Sequence, residues 1–408
     1  MSLDDSMCRL SGAEKLKSPF SPWPCFSPEE AEAVSRVLLS NKVNYWTGDE
    51  CRQFEKEFAH FSETKYAVAL GNGTLALDVA LKALGVGNDT CAGHEVIVTS
   101  RTFLASASSI VNAGAVPVFV DVDRNTQNIT ADAVRAAITP RTRAIICVHL
   151  AGLPCDMDPI MDLAAQYNLR VIEDCAQAHG ARYKGRSVGG IGHVGAWSFC
   201  QDKIMSTGGE GGMVTTNDRD LWSKMWSFKD HGKSWEAVYE RDHPPGFRWL
   251  HESFGSNWRM TEIQAVIGRI QLKRMPEWTK ARLANAMRIL NAARNVPGLR
   301  VPEIPNWAEH GAYKCYVFVE PEKLANGWTR DRVMDEISRR GVPCFSGSCS
   351  EVYLERAFDG TGWRPKKRLP VARELGETSL MFLVHPTLTA NEIDRTCAAL
   401  TEVMSCAL

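Results

Sequence analysis

The sequence has no long hydrophobic run. No window of the chain approaches 18 uninterrupted apolar residues, and a membrane-spanning helix needs a stretch of at least about that length. Residues 1–24 carry early acidic residues and a Ser/Pro-rich segment, with no apolar core of signal-peptide length. We therefore expect no membrane span and no secretory leader, and we predict a cytoplasmic protein.

The chain also lacks an excess of charge of either sign. Its 47 Lys and Arg residues and 48 Asp and Glu residues give a formal net charge of −1 at pH 7. Proteins that bind nucleic acids or anionic membranes usually present a basic surface. Partners of these two kinds are therefore not expected.

The cysteines lack the spacing of a metal site or a disulfide framework. There are 13 of them, an odd number, with no Cys-x-x-Cys pair, and the closest two are Cys344 and Cys349. Zinc sites and iron–sulfur clusters use closer and repeated spacings. We expect reduced thiols and no bound metal.

Apolar strand patterns alternate with amphipathic helix patterns along most of the chain. Strands are predicted at residues 94–99, 116–121, 144–149 and 169–174. This alternation indicates an α/β protein with a large, mainly parallel sheet and helices on both faces. The 408 residues, 44% hydrophobic, suffice for two domains. We predict three parts: an N-terminal arm that is flexible or orders late (residues 1–26), a large domain (27–275), and a smaller α+β domain that begins with a long helix from Pro276 (276–408).

The most informative stretch is residues 196–216. Two apolar strands flank a polar turn that contains Lys203, and glycines surround Glu210 just after it. Such a turn can hold an amine against a planar cofactor, with its charge partly desolvated so that it can deprotonate and attack a carbonyl. Most lysines are solvated surface charges. The hypothesis that Lys203 is catalytic is therefore supported only by motifs elsewhere in the chain.

The pattern Ser198-Phe-x-x-x-Lys203, followed by Gly-Glu-Gly-Gly, resembles the active-site signature of a known family. This is the DegT/DnrJ/EryC1/StrS family of pyridoxal-phosphate-dependent sugar aminotransferases. The resemblance covers residues 27–275 in ordered motifs and extends more loosely to the C-terminus. It implies the fold-type I aminotransferase architecture, pyridoxal 5'-phosphate as cofactor with Lys203 as the catalytic residue, and a homodimer with shared active sites.

A glycine turn, Gly71-Asn-Gly-Thr74, joins a predicted strand to a predicted helix. Free backbone N–H groups at a helix start suit a phosphate, although many α/β proteins have such turns. The resemblance implies that Gly73, Thr74 and Ser198 hold the cofactor phosphate. It also implies that Asn257 of the partner subunit, in the segment Gly255-Ser-Asn-Trp-Arg, completes this site across the dimer.

The predicted strand at residues 169–174 ends in two acids. A buried carboxylate is costly unless it meets a cation, and a protonated pyridine nitrogen supplies one while the ring remains an electron sink. The resemblance gives this role to Asp174, for which helix capping is the alternative. It places Gln177 at a neighbouring cofactor contact and Phe103 against the ring face, although Phe103 is equally compatible with a core position.

A nucleotide-linked substrate brings a diphosphate, which needs cations or backbone donors. Lys184 and Arg186 follow His179 closely, and Arg259 lies beside Asn257. Loop cations are usually solvated, so each of them alone is weak evidence. We take His179, Lys184, Arg186 and Arg259 together as the candidate substrate residues.

The resemblance implies transfer of an amino group, from glutamate, to a ketone of a nucleotide-linked sugar in amino-sugar and surface-polysaccharide biosynthesis. A 4-keto-6-deoxy sugar is favoured over a 3-keto sugar. One alternative is a sugar dehydratase, but such relatives replace the lysine by His or add an iron–sulfur cluster. A non-catalytic regulatory homologue is the other alternative. Residues 231–253, rich in charge and aromatics, predict a loop or lid over the substrate.

Overall fold

The computed structural model describes residues 20–87, 93–246 and 248–408. Residues 1–19 of the predicted arm, and Phe247 in the predicted lid, lie outside the described residues. Within the described ranges, no helix combines the length and the apolar character needed to cross a membrane.

The elements before residue 295 alternate much as the sequence predicts. The strands are β1 (Tyr66–Leu70), β2 (Glu95–Thr99), β3 (Val116–Val120), β4 (Thr142–Val148), β5 (Arg170–Asp174), β6 (Arg182–Tyr183), β7 (Arg186–Ser187), β8 (Val194–Ser198) and β9 (Gly212–Thr216). The helices are α1 (Pro28–Leu39), α2 (Glu50–Phe61), α3 (Gly73–Ala83), α4 (Ala105–Asn112), α5 (Ala131–Ala137), α6 (Met157–Gln166), α7 (Arg219–Lys229), α8 (Trp235–Tyr239) and α9 (Glu262–Arg294).

The large sheet has the order β1-β9-β8-β5-β4-β2-β3. Strands β3, β2, β4, β5 and β8 run parallel, and β9 is antiparallel to both of its neighbours. The predicted α/β fold with a mainly parallel sheet is confirmed. Strands β5 and β8 are adjacent, and Asp174 at the end of β5 lies in register with Ala196. Ligands of such sheets bind at the carboxyl ends of the strands, and these two ends carry Asp174 and Ser198.

Several helices begin with side-chain caps. Ser27 and Glu30 form a capping box at α1, with Pro28 at its first position. The side chain of Asn72 accepts the Leu75 N–H at the start of α3, at 3.0 Å. These caps fix where the chain leaves each strand or loop.

Helix α9 differs from the prediction. The sequence suggests two helices separated at Pro276, yet residues 262–294 form one helix of 33 residues with Pro276 inside. An interior proline removes one backbone hydrogen bond, and here tertiary packing overrides that local cost. The first half of α9 packs on α1 and α2, and the second half packs on the C-terminal part of the chain. The predicted domain boundary at residues 275/276 therefore falls within a continuous helix.

The C-terminal part is a smaller α+β unit. Its strands are β10 (Leu299–Arg300), β11 (Ala308–Glu309), β12 (Cys315–Val319), β13 (Cys344–Phe345) and β14 (Ser379–Phe382). Its helices are α10 (Arg330–Arg339), α11 (Pro370–Thr378) and α12 (Ala390–Ala407). An antiparallel sheet, β10-β12-β14-β13, packs against α9 and α12 around its own apolar core. Strand β11 pairs instead with β6.

Residues 20–24, the described end of the predicted N-terminal arm, are held in place by hydrogen bonds to distant parts of the chain. Ser21 hydrogen-bonds to Glu392, and the Pro22 carbonyl accepts a hydrogen bond from Thr387 at 2.8 Å. The indole N–H of Trp23 donates to the carbonyl oxygen of Lys203 at 2.8 Å. We call residues 20–24 the N-terminal strap, because they tie the C-terminal unit to the turn that carries Lys203.

Candidate active site

Lys203 lies in the turn between β8 and β9. The turn is closed by backbone hydrogen bonds, from Lys203 N–H to Cys200 and from Gln201 N–H to Gly209. The Lys203 side chain is 17% exposed and reaches a cavity of about 380 Å³. The turn therefore presents the amine of Lys203 to this cavity.

Asp202 and Tyr313 contact the Lys203 amine. Nζ of Lys203 lies 3.5 Å from Oδ2 of Asp202 and 5.3 Å from the centre of the Tyr313 ring. The Tyr313 hydroxyl donates a hydrogen bond to the same carboxylate. Burial raises the pKa of Asp202, but the charge of Lys203 and this hydrogen bond lower it overall. The amine is thus positioned by one carboxylate and one ring, neither of which the sequence analysis singled out.

Asp174 is buried at the carboxyl end of β5. Its Oδ2 accepts a hydrogen bond from the Ser106 hydroxyl at 2.7 Å, and its Oδ1 accepts the Ala176 N–H at 3.1 Å. Burial raises the pKa of Asp174, while these two donors and the charge of Lys203 oppose the shift. A cation placed against this carboxylate would favour its ionised form, as the predicted pyridinium contact requires.

The start of α3 lies directly against the end of β8. A Cβ atom added at Gly73 would sit 2.6 Å from Cβ of Ser198, so only glycine fits there. The Asn72 side chain caps Leu75 at this helix start. Thr74 and Ser198 add hydroxyls beside the backbone N–H groups of the first turn. This arrangement is a cradle for an anion at a helix N-terminus.

Phe103 and Gln177 both line the cavity that Lys203 reaches. Phe103 is 70% exposed, so it is not a core side chain, and its ring is available to stack on a planar ligand. Gln177 is buried, and its side-chain oxygen accepts the Ala151 N–H at 2.8 Å. That bond orients the Gln177 amide.

Taken together, these residues fit pyridoxal phosphate. The amine and the exposed ring line one cavity. The buried carboxylate and the anion cradle, with its tight Gly73 contact, lie at the ends of the adjacent strands β5 and β8. The donor set matches the aldehyde, ring nitrogen, ring face and phosphate of that cofactor.

A second buried carboxylate, Glu173, shapes the turn that precedes β8. His149 Nε2 lies 3.0 Å from Glu173, and both side chains are fully buried. Burial alone would raise the pKa of Glu173, but His149 and backbone donors lower it overall. The carboxylate also accepts the N–H groups of Gly189, Ile191 and Gly192. His149, Glu173 and Cys175 are close enough to hold a metal ion, yet these bonds already use the carboxylate to fix the chain.

His179 is fully buried and does not reach the cavity. Its ring packs against Phe58, Trp197 and Phe199, and within the described part of the chain neither ring nitrogen has a hydrogen-bond partner. Burial, together with the nearby charges of Lys203 and Arg282, lowers the pKa of His179 to about 3. The neutral ring is a core side chain here, and the structure does not bring it to the cavity where we predicted a substrate contact.

The predicted substrate cations lie away from the cavity lining. Lys184 and Arg186 belong to the β6–β7 hairpin, and both pair with Asp158, at 2.7 and 2.6 Å. Arg259 pairs with the buried Asp230 at 2.6 Å. One chain therefore does not bring these three side chains to Lys203, and their contact with substrate stays a prediction.

Asn257 is exposed in the segment before α9. The next residue, Trp258, anchors the segment, because its N–H donates to Lys229 and its carbonyl accepts from Gly71, at 2.9 and 3.0 Å. The side chain is thus presented outward from a fixed backbone. This placement is compatible with the predicted reach into a second subunit.

Trp23, Ser106, Asp202, Tyr313 and Lys314 were missed by the sequence analysis. Lys314 lines the same cavity as Lys203. The pattern at residues 313–319 predicts a strand and nothing about the site. Asp202 alone had a local signal, since it precedes Lys203 in the turn.

Comparison with known proteins places the chain in a family. The sequence profile of the DegT/DnrJ/EryC1/StrS aminotransferase family matches residues 24–401. A GDP-perosamine synthase from Caulobacter vibrioides is 38% identical over 366 residues, which are 86% of this chain and 89% of that protein. A UDP-N-acetyl-3-dehydro-alpha-D-glucosamine 3-aminotransferase from Acidithiobacillus ferrooxidans is 34% identical, over 93% of this chain and 94% of that protein.

Solved structures give the same result. The aminotransferase from Psychrobacter cryohalolentis has a TM-score of 0.92 and 65% identity, over 95% of this chain and 100% of that one. An amine and a carboxylate at adjacent strand ends, the anion cradle and these matches agree with one another. The chain therefore belongs to the DegT/DnrJ/EryC1/StrS aminotransferase family and is a pyridoxal-phosphate-dependent aminotransferase.

Proposed function

We propose that this protein transfers an amino group from glutamate to the keto carbon of a nucleotide-linked sugar. The observation that carries the proposal is the shared cavity of Lys203, Gln177 and Phe103, with Asp174 buried at the end of the adjacent strand. The substrate class is supported by the relatives from Caulobacter and Acidithiobacillus, whose names refer to nucleotide sugars.

Pyridoxal phosphate, when bound, supplies an electron sink for chemistry at the carbon that carries the amino group. Lys203 holds the cofactor through its amine, and once released it takes and returns the proton at the α-carbon of the donor. Asp202 and Tyr313 keep Nζ in the cavity. Asp174 keeps the ring nitrogen protonated, and Gln177 and Phe103 position the ring.

The phosphate group is held by Gly73, Thr74 and Ser198, with Asn257 of the partner subunit. The proposed homodimer is supported by large apolar side chains that one chain leaves exposed. Leu39 is 80% exposed, and Phe254 is fully exposed in the segment just before Asn257. A second subunit covering these side chains would remove apolar surface from water and would complete the phosphate site. Light scattering on the purified protein should show a dimer.

We favour a 4-keto-6-deoxy sugar as acceptor, with a 3-keto sugar as the second candidate. The first is compatible with the GDP-perosamine synthase relative. The second is favoured by the relative named for a 3-dehydro sugar. The residues around Lys203 identify the cofactor and do not distinguish a 4-keto sugar from a 3-keto sugar.

Lys203→Ala is the direct test. Loss of the amine should remove the visible absorbance of the bound cofactor and lower kcat at least about 10³-fold, since covalent attachment and proton transfer are both lost. Lys280→Ala, which changes an exposed lysine on α9, is the matched control and should keep both. Near wild-type turnover of the Lys203 variant would contradict the assignment. A panel of 3-keto and 4-keto sugar nucleotides, incubated with glutamate and read by product mass, identifies the acceptor.

A further inference from the structure

A second cavity adjoins the one that Lys203 reaches. It has a volume of about 420 Å³ and lies between the N-terminal strap and the segment 341–345 of the C-terminal unit. The two cavities share the residues Asp202, Lys314, Phe345 and Leu383. The two cavities are therefore neighbours, and a ligand long enough to pass Lys314 would contact both of them.

Lys314 stands at the boundary between the two cavities. No carboxylate in the described ranges lies within ion-pair distance of its amine, which instead sits 4.8 Å from the centre of the Tyr313 ring. Burial lowers the pKa of Lys314 to about 8, with the charges of Arg282 and Lys203 in the same direction and Asp202 opposing. A largely buried and unpaired cation is costly. An anionic ligand at this boundary would offset that cost.

The lining beyond Lys314 contains several apolar side chains. These are Phe20 and Trp23 of the N-terminal strap, and Pro343 and Phe345 of the C-terminal unit. Phe345 is 46% exposed. The strap is fixed, because Trp23 donates to the Lys203 carbonyl and also stacks on His385. The Trp23 ring is already covered by His385 and Arg282, so the exposed Phe345 ring is the surface of this slot on which a planar heteroaromatic ring could stack.

We propose that Lys314 binds the diphosphate of the sugar nucleotide and that the second cavity holds its nucleoside, between the N-terminal strap and Phe345. This inference rests on the proposed function. The order of the sites matches the order of the groups in such a molecule: keto sugar at Lys203, diphosphate at the boundary, base in the slot. It moves the diphosphate contact from Lys184, Arg186 and Arg259, which pair elsewhere, to a cation that lines both cavities.

The experiment measures binding and the donor reaction separately. UDP, GDP and dTDP are titrated by calorimetry into the cofactor-loaded protein, and the donor reaction is followed as the glutamate-dependent change in cofactor absorbance. Lys314→Met should weaken binding of the preferred nucleotide at least about tenfold, because a hydrogen-bonded ion pair is lost. The glutamate reaction should change less than about twofold. Lys280→Met is the matched control and should change neither.

A second variant guards against misfolding of the first. Phe345→Ala truncates a half-exposed side chain and should weaken the same nucleotide about tenfold through lost stacking, with the glutamate reaction kept. Unchanged nucleotide binding in both variants would overturn the subsite while leaving amino transfer standing. A larger loss for glutamate than for nucleotide in Lys314→Met would assign this cation to the donor carboxylate instead. If the wild-type protein binds no nucleotide and aminates no sugar nucleotide, the proposed function and the subsite both fail.

Discussion

The two halves of the site differ in how far the protein satisfies its own polar groups. In the cofactor half, formed by Asp174, Gly73 and Ser198 at the large sheet, Asp174 already accepts two hydrogen bonds. In the proposed substrate half, formed by Lys314 and Phe345 of the C-terminal unit, the cation has no ion-pair partner among the described residues, and the ring is half exposed. The first half is preorganised by the fold, and the proposed second half would be completed by its ligand. Changes in the first should therefore alter the chemistry, and changes in the second should alter affinity.

Among the variants that compare the two halves, Asp174→Asn should lower kcat the most. The amide keeps the size of the side chain but cannot stabilise a ring cation, so kcat should fall on the order of 10²–10³-fold. Asp202→Asn should cost less, because that side chain is half exposed and contacts the amine, not the ring. Steady-state kinetics and the absorbance spectrum of each loaded variant provide the measurement. Equal losses of kcat in the two variants would contradict the different roles assigned to Asp174 and Asp202.

Gly73→Ala should weaken binding of the cofactor, because Ser198 must shift to admit the methyl group. The added methyl would lie 2.6 Å from Cβ of Ser198, and such overpacking costs about 1–3 kcal/mol. The Kd for pyridoxal phosphate should rise about tenfold or more, measured by titrating the cofactor-free protein. Gly71→Ala is the matched control, since its nearest neighbour is at an ordinary 3.5 Å. A similar Kd for both variants would mean that the cradle is less tightly packed than described.

His179→Phe should have the smallest effect, on stability alone. The pKa of His179 is lowered to about 3 in the folded protein, from an ordinary 6.5. The unfolded chain therefore takes up the proton first, and stability is lost as pH falls from 6.5 towards 3. This residue should contribute up to about 1.4 kcal/mol per pH unit to that loss, and the variant should lack it. Denaturant titrations between pH 6 and pH 4 test this difference in slope, and identical slopes would contradict the neutral, buried ring.

The residues of the cofactor half could be predicted from the sequence, because each of them lies in a short segment with a recognisable pattern. Lys203, Asp174 and Gly73 lie at strand ends or at a helix start, where local pattern, chemistry and family resemblance agree. Proximity in sequence was a poor guide for His179. This residue follows the Asp174 strand closely, but its side chain packs in the aromatic core.

The substrate half could not be predicted, because distant segments form it. Tyr313 meets Asp202 across 111 residues, and Trp23 meets Lys203 across 180. The alternating pattern at residues 313–319 predicts only a strand, and the composition around Trp23 is typical of a linker. Neither pattern indicates a position at the active site. Only the packing of the C-terminal unit and the N-terminal strap against the turn places these side chains at the cavity.

Helix α9 limits how the active site can open. At about 1.5 Å per residue, its 33 residues form a rod about 50 Å long that belongs to both the large and the C-terminal units. A rotation of one unit against the other would therefore have to bend this helix. Pro276, which already lacks one backbone hydrogen bond, is where such bending would cost least.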